Sequence, residues 1–198
     1  MGRTTAPLRP PGPLALGRAG LEDLGRALRA HRVWSHLGAR DIASQYRRTV
    51  LGPWWFTLSS VVFAGSLGLV YSRLFGSSIR DYLPYVAGGL FVWQFIAVFI
   101  TDGANVYLTS AQIILNLPVP LGVHALRLPV RATLTFLHNL LAWFIVALLL
   151  RYTISPTVLL ALPMLALVIV ALLPVSLIIG AICTRFRDLP VIVTLGVQ

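Results

Sequence analysis

The acidic and histidine side chains of this chain are too scattered to form a catalytic or metal centre. Six side chains are acidic, and all of them lie outside or at the ends of the long apolar runs: Glu22, Asp23, Asp41, Asp81, Asp102 and Asp188. Four are imidazoles without metal-ligand spacing: His31, His36, His124 and His138. We therefore expect no catalytic residue, no metal site and no bound cofactor in this chain.

The basic side chains exclude one further activity. All 16 basic residues are Arg, and no Lys is present. A nucleotide-hydrolysing P-loop needs a Lys that reaches the phosphates, so this chain cannot contain one. If ATP drives the protein, a separate chain must bind ATP and Mg²⁺ and hydrolyse the nucleotide.

The composition indicates an all-α integral membrane protein. With 57% hydrophobic residues, 11% charged residues and a mean hydropathy of +0.83, the chain cannot cover a soluble globule with polar surface. Uncharged runs long enough to cross about 30 Å of hydrocarbon predict four spans, near 54–72, 83–101, 132–150 and 159–183. An incomplete fifth span is predicted from residue 189. Small residues at every fourth position, Ser176, Gly180 and Thr184 among them, predict close helix packing.

The polar segment 103–131 is predicted to be a cytoplasmic loop with short helices. Its Asn, Ser, Thr and Pro residues would be costly in lipid, and this placement keeps Arg127 and Arg131 on the inner side. Only Arg73, Arg80 and Arg151 then lie outside. The formal charge of +10 therefore indicates the membrane surface and membrane lipid as partners, and no nucleic acid is expected.

The N-terminus is predicted to lie in the cytoplasm. Residues 1–20, rich in Pro and Arg, are predicted to be a disordered tail. Over residues 21–46, apolar positions spaced by three and four alternate with arginines, which favours one or two helices on the inner membrane surface. An ordinary solvated helix is the alternative.

The spans lack interior ionisable residues, which argues against ion coupling. His138, beside Asn139, is the sole such position and is more typical of a hydrogen bond between helices. A neutral lining of rings, hydroxyls and amides such as Gln94 suits a sugar chain. The aromatic residues predicted to line a path are Phe56, Phe63, Tyr85, Trp93 and Trp143. The alternative is that these rings face lipid or neighbouring helices.

Several segments in one order resemble a known family. Residues 40–42 (RDI) and 45–54 (QYRRTVLGPW) resemble the start of the first span in the membrane subunit of ABC-type polysaccharide exporters. Residues 79–85 (IRDYLPY), 115–124 (LNLPVPLGVH) and the pair His138 and Asn139 resemble later segments of the same family. These type-2 permeases export O-antigen, capsule or teichoic-acid chains.

The resemblance implies a half-transporter of the cytoplasmic (inner) membrane that dimerises and binds a separate ABC ATPase subunit. It implies an ATPase-docking loop formed by Ser110, Ala111, Gln112, Ile113, Ile114, Asn116, Leu117, Pro118 and Pro120. It also implies a polymer entrance at Tyr46, Arg47, Arg48 and Trp54, where guanidinium groups could meet a lipid-linked diphosphate. The family has six spans, so a chain truncated within the fifth is expected.

Two other functions are compatible with parts of this pattern. A non-transporting membrane scaffold, or an inactive permease fragment, would share the same spans and motifs. A membrane-embedded transferase acting on lipid-linked sugars is disfavoured by the absence of a carboxylate and histidine cluster.

Overall fold

The chain is an all-α protein, as predicted. The computed structural model describes residues 13–45, 50–52 and 54–198, and this part of the chain contains no strand. Its helices are α1 (Pro13–Arg29), α2 (His31–Gln45), α3 (Trp54–Leu74), α4 (Ile79–Asn116), α5 (Leu121–Leu149), a 3₁₀ turn (Pro156–Leu160), α6 (Ala161–Arg185) and α7 (Leu189–Val197). The short α7 begins where the fifth span was expected.

Four of these helical segments are long and apolar enough to cross a membrane. They are Thr57–Leu74, Ile79–Asn116, Leu121–Leu149 and Pro156–Arg185. Each contains most of one predicted span. The prediction of a multi-pass membrane protein is thereby confirmed.

Two of the predicted irregular segments are helical instead. α4 continues to Asn116 and α5 begins at Leu121, so that only residues 117–120 connect them and the predicted loop with short helices is wrong. Asn105, Thr109 and Asn116 each bond to a carbonyl one turn back, at 3.0, 2.9 and 2.7 Å, which lets polar residues continue the helix. Likewise, α1 begins at Pro13, a residue type tolerated in a first turn, so the predicted tail is helical over 13–20.

The paired helices α4 and α5 are longer than a bilayer requires. With 38 residues, α4 extends about 57 Å, whereas a hydrocarbon core is about 30 Å thick. The apolar runs 83–101 and 132–150 lie at the far end of this hairpin from residues 117–120. The excess length therefore falls at the α4–α5 connection, which supports the prediction that 103–131 lies outside the hydrocarbon.

The connections fall at two opposite ends of the bundle. Arg80 in α4 donates from Nη2 to the Arg151 carbonyl at 2.8 Å, which joins the α3–α4 and α5–α6 connections at one end. At the other end, the Asp23 carboxylate of α1 accepts a hydrogen bond from the Gly122 backbone amide at 2.8 Å. The N-terminal helices and the α4–α5 connection thus share one side, as the predicted topology requires.

Helix α4 is the centre of the packed bundle. Its buried Phe95, Phe99 and Val106 contact Leu128 and Ala132 of α5, with partly buried residues of α6 around them. On the side of α6, Gly103 lies against Ser176: a Cβ at Gly103 would come within 2.6 Å of the Ser176 Cβ. A Cβ at Gly180 would come within 2.7 Å of the Gly103 carbonyl oxygen. These small residues let α4 and α6 approach closely, as their spacing predicted.

Gly103→Ala is expected to separate α4 from α6 and lower the free energy of unfolding by about 1–3 kcal/mol, because the added methyl overlaps Ser176. Thermal unfolding in detergent measures the change. Gly89→Ala is the matched control, since a Cβ there meets nothing within 4 Å and Ala favours the helix. Equal melting temperatures for the two variants would contradict the close approach.

Candidate functional site

The α4–α5 tip, residues 111–120, presents apolar side chains to the surroundings. Leu115 is 83% exposed and Leu117 is 55% exposed. Of the residues predicted to form the docking loop, Ala111, Gln112, Asn116 and Pro118 are exposed like Leu117, and Ile113, Ile114 and Pro120 are partly buried. The tip is thus accessible to a partner, although the docking role itself stays a prediction.

Ser110 is placed differently from the rest of the predicted docking loop. It is fully buried, and its hydroxyl accepts a hydrogen bond from Nη2 of Arg127 at 2.7 Å while donating to the Val106 carbonyl. Ser110 therefore holds α4 against α5, one turn before the exposed tip.

Arg127 joins three helices behind the tip. Its side chain is buried between α4 and α5, with 8% of the residue exposed. Its Nε lies 3.4 Å from the Asp41 carboxylate, which belongs to α2. One turn further along α5, Arg131 Nε lies 3.2 Å from the Asp102 carboxylate of α4. Charge-assisted contacts of this kind fix the relative positions of α2, α4 and α5.

The N-terminal helices pack on α5. Ala27 of α1 is fully buried, and a Cβ at Gly122 would come within 2.9 Å of the Ala27 Cβ. Gly38 of α2 is equally close to α5, because a Cβ there would lie 2.8 Å from the Val130 Cβ. The prediction of one or two helices over 21–46 is confirmed as a pair, α1 and α2. Their position on a membrane surface stays a prediction.

The predicted polymer entrance is described only at its end. Tyr46, Arg47 and Arg48 lie outside the described residues. Trp54 begins α3 with 47% of its surface exposed, and its ring lies edge-on to the His138 ring with centroids 5.6 Å apart. His138 Nδ1 in turn lies 2.8 Å from the Leu134 carbonyl oxygen.

The structure brings two of the predicted path-lining aromatics together. Phe63 of α3 and Trp93 of α4 line a cavity of about 370 Å³ with Ser59, Ser60 and Gln94. Trp143 instead donates from its indole N–H to the Pro84 carbonyl at 2.7 Å, which holds α5 against α4.

Of the remaining two aromatics, Tyr85 lies apart from this cavity, and the side chain of Phe56 is not described. Tyr85 is 74% exposed, and it does not line the cavity in the described part of the chain. Phe56 lies within α3, but its side chain is not among the described ones.

The sequence did not predict the polar network behind the tip, whereas Gln94, expected to belong to a neutral lining, does line the cavity. Arg127 and Arg131 are four residues apart, which places both guanidinium groups on one face of a helix. Two like charges on one buried face require counter-charges. The four-residue spacing of the two arginines was therefore the sequence signal that acidic partners lie nearby. It could not identify Asp41 and Asp102 as the partners.

Comparison with known proteins finds relatives over most of the chain. Two proteins from Klebsiella pneumoniae, both named O-antigen export system permease protein RfbA, are each 27% identical to it over 162 residues. The matched region is 80% of this chain and 62% of each relative, so the chain spans less than two thirds of the length of these relatives. No family profile matches the chain, and no solved structure matches it. The resemblance to polysaccharide-exporter permeases is confirmed at this modest identity.

Proposed function

We propose that this chain, as a relative of O-antigen export permeases, is the membrane-spanning subunit of an ATP-driven exporter. The exporter moves a polysaccharide or a lipid-linked glycan across the cytoplasmic membrane. A separate ABC ATPase subunit binds and hydrolyses ATP, which agrees with the absence of Lys and hence of a P-loop. Two copies of the chain assemble with this ATPase.

The observation that carries the proposal is the protruding α4–α5 tip. It joins two membrane-crossing helices, and it exposes Leu115 and Leu117 where the hairpin is longer than the bilayer. Exposed apolar side chains at a water-facing position are typical of a protein-interaction site. Because Arg127 and Ser110 hold the helices together directly behind the tip, movement of a bound ATPase would be transmitted to both spans and to α2.

The orientation in the proposal follows from the arginines. The inner segments contain most of them, whereas Arg73, Arg80 and Arg151 are the outer ones. This asymmetry supports a cytoplasmic N-terminus in the inner membrane. The α4–α5 tip then faces the cytoplasm, the compartment in which an ATPase finds ATP.

Export of surface polysaccharide tests the proposal. Deletion of the gene that carries this chain is expected to abolish surface polysaccharide, and its return on a plasmid is expected to restore it. The glycan should accumulate inside the deleted cells, because its synthesis does not need the exporter. Unchanged surface polysaccharide after deletion would overturn the proposal and favour the non-transporting scaffold.

A further inference from the structure

Three polar side chains from three helices meet within the bundle. Ser60 Oγ of α3 and Asn139 Nδ2 of α5 both donate to the Oε1 atom of Gln94 in α4, each at 3.2 Å. Ser60 is 7% exposed and Asn139 is 1% exposed, so the two donors lie in the interior. The carboxamide oxygen of Gln94 is therefore directed towards the packed helices.

This arrangement leaves the other end of the carboxamide free. Among the described residues, none accepts a hydrogen bond from Gln94 Nε2, while Gln94 is partly exposed and lines the cavity of about 370 Å³. Gln94 lies within the predicted span 83–101, where an amide N–H without an acceptor is energetically unfavourable. The cavity thus offers a hydrogen-bond donor that lacks an acceptor.

The walls of the cavity indicate the class of molecule that supplies the acceptor. Phe63 and Trp93, 60% and 51% exposed, line it beside Gln94. Val197 and Gln198 line its α7 side, and no charged side chain lines it in the described part of the chain. A phosphate or an ion would need a counter-charge here. A sugar ring instead packs its C–H face on an aromatic ring and accepts hydrogen bonds through its oxygens.

We propose that Gln94 donates from Nε2 to an oxygen of a neutral sugar unit that packs against Trp93 or Phe63 during export. Ser60 and Asn139 are positioning residues for the carboxamide. The inference rests on the proposed function and assigns its glycan contact to one cavity.

Gln94→Met tests the contact, since Met keeps the side-chain length and removes the donor. The rate of appearance of surface polysaccharide is expected to fall about fivefold, the effect of one neutral hydrogen bond. Val92→Met is the matched control on the same helix, because Val92 is 48% exposed and does not line the cavity. Export by the wild-type chain is measured in parallel, so that failure of the proposed function can be told from failure of this inference. A wild-type chain that does not export contradicts the proposed function. Equal export by wild type and Gln94→Met overturns only this inference.

Photo-crosslinking distinguishes a contact with glycan from a purely structural role of Gln94. Trp93 is replaced with the photoreactive residue p-benzoylphenylalanine in cells that synthesise the polysaccharide, and irradiated chains are purified and probed for sugar. Adducts that contain glycan are expected at position 93, whereas a photoreactive residue at Val92 should give lipid adducts only. Lipid or protein adducts alone at position 93 would overturn the inference, even if Gln94→Met exports slowly.

Discussion

Arg127→Met is expected to lower the free energy of unfolding of the detergent-solubilised chain by about 2–3 kcal/mol. The change removes the guanidinium between Asp41 and Ser110 and leaves the carboxylate of Asp41 without its partner on α5. The figure lies below the roughly 3–5 kcal/mol of a fully buried pair because the Asp41 side chain is 30% exposed and can be partly hydrated. For a chain of 198 residues this corresponds to a melting temperature lower by roughly 5–10 °C, measured by thermal unfolding.

A double-mutant cycle attributes this loss to the ion pair. Asp41→Asn combined with Arg127→Met is expected to recover part of the stability, since the unpaired carboxylate is then absent. Arg26→Met is the control, because the Arg26 side chain is 68% exposed and its 3.9 Å contact with Asp23 contributes little. If Arg26→Met lowered the free energy of unfolding as much as Arg127→Met, the ion pair with Asp41 would not be the cause of the destabilisation.

The membrane spans could be predicted because a single physical requirement dominates them. A helix in hydrocarbon must be apolar along its whole length, so the absence of charge over 83–101 or 132–150 identifies it without knowledge of its neighbours. A close packing surface on α6 at Ser176 and Gly180 could also be predicted, because close approach needs small residues at a fixed spacing, but its partner α4 could not.

The extent of α4 and α5 could not be predicted from polarity. Asn105 and Thr109 suggested an irregular loop, yet both satisfy their polar groups on carbonyls of their own helix. Pro118 and Pro120 end up in the short connection, where they interrupt neither helix. The positions of polar residues predict which segments lie in lipid and which lie in water. They do not predict whether a segment outside the bilayer is a helix or a loop.

The candidate site was only partly predictable for a different reason. Phe63, Trp93 and Trp143 are alike in the sequence, because each is an aromatic residue in an uncharged run. Their separation into cavity walls and an α4–α5 contact depends on which way each side chain faces, and on the Pro84 carbonyl to which Trp143 donates. Ser110 shows the same limit, since its burial depends on Arg127 of the next helix.

The pair of substitutions Leu115→Ser and Leu117→Ser is expected to weaken binding of the partner ATPase about 100-fold. The two side chains are 83% and 55% exposed at the α4–α5 tip, and burial of a leucine in an interface contributes about 1.5–3 kcal/mol. The helix end should survive the change, because the Leu117 backbone amide donates to the Ile113 carbonyl at 2.9 Å whatever the side chain. The dissociation constant of the ATPase for the chain in lipid nanodiscs measures the effect.

A matched pair at the opposite end of α5 makes the result specific to the tip. Leu148 and Leu149 are 78% and 77% exposed. The pair Leu148→Ser and Leu149→Ser replaces two exposed leucines with serines, as the tip variant does, but at the end of α5 away from residues 117–120. Binding of the ATPase to this control should equal that of the wild type, because the bilayer separates these residues from the cytoplasm in the proposed orientation. Equal weakening by both pairs would mean that the chain was merely less soluble, and undiminished binding by the tip variant would place the ATPase contact elsewhere.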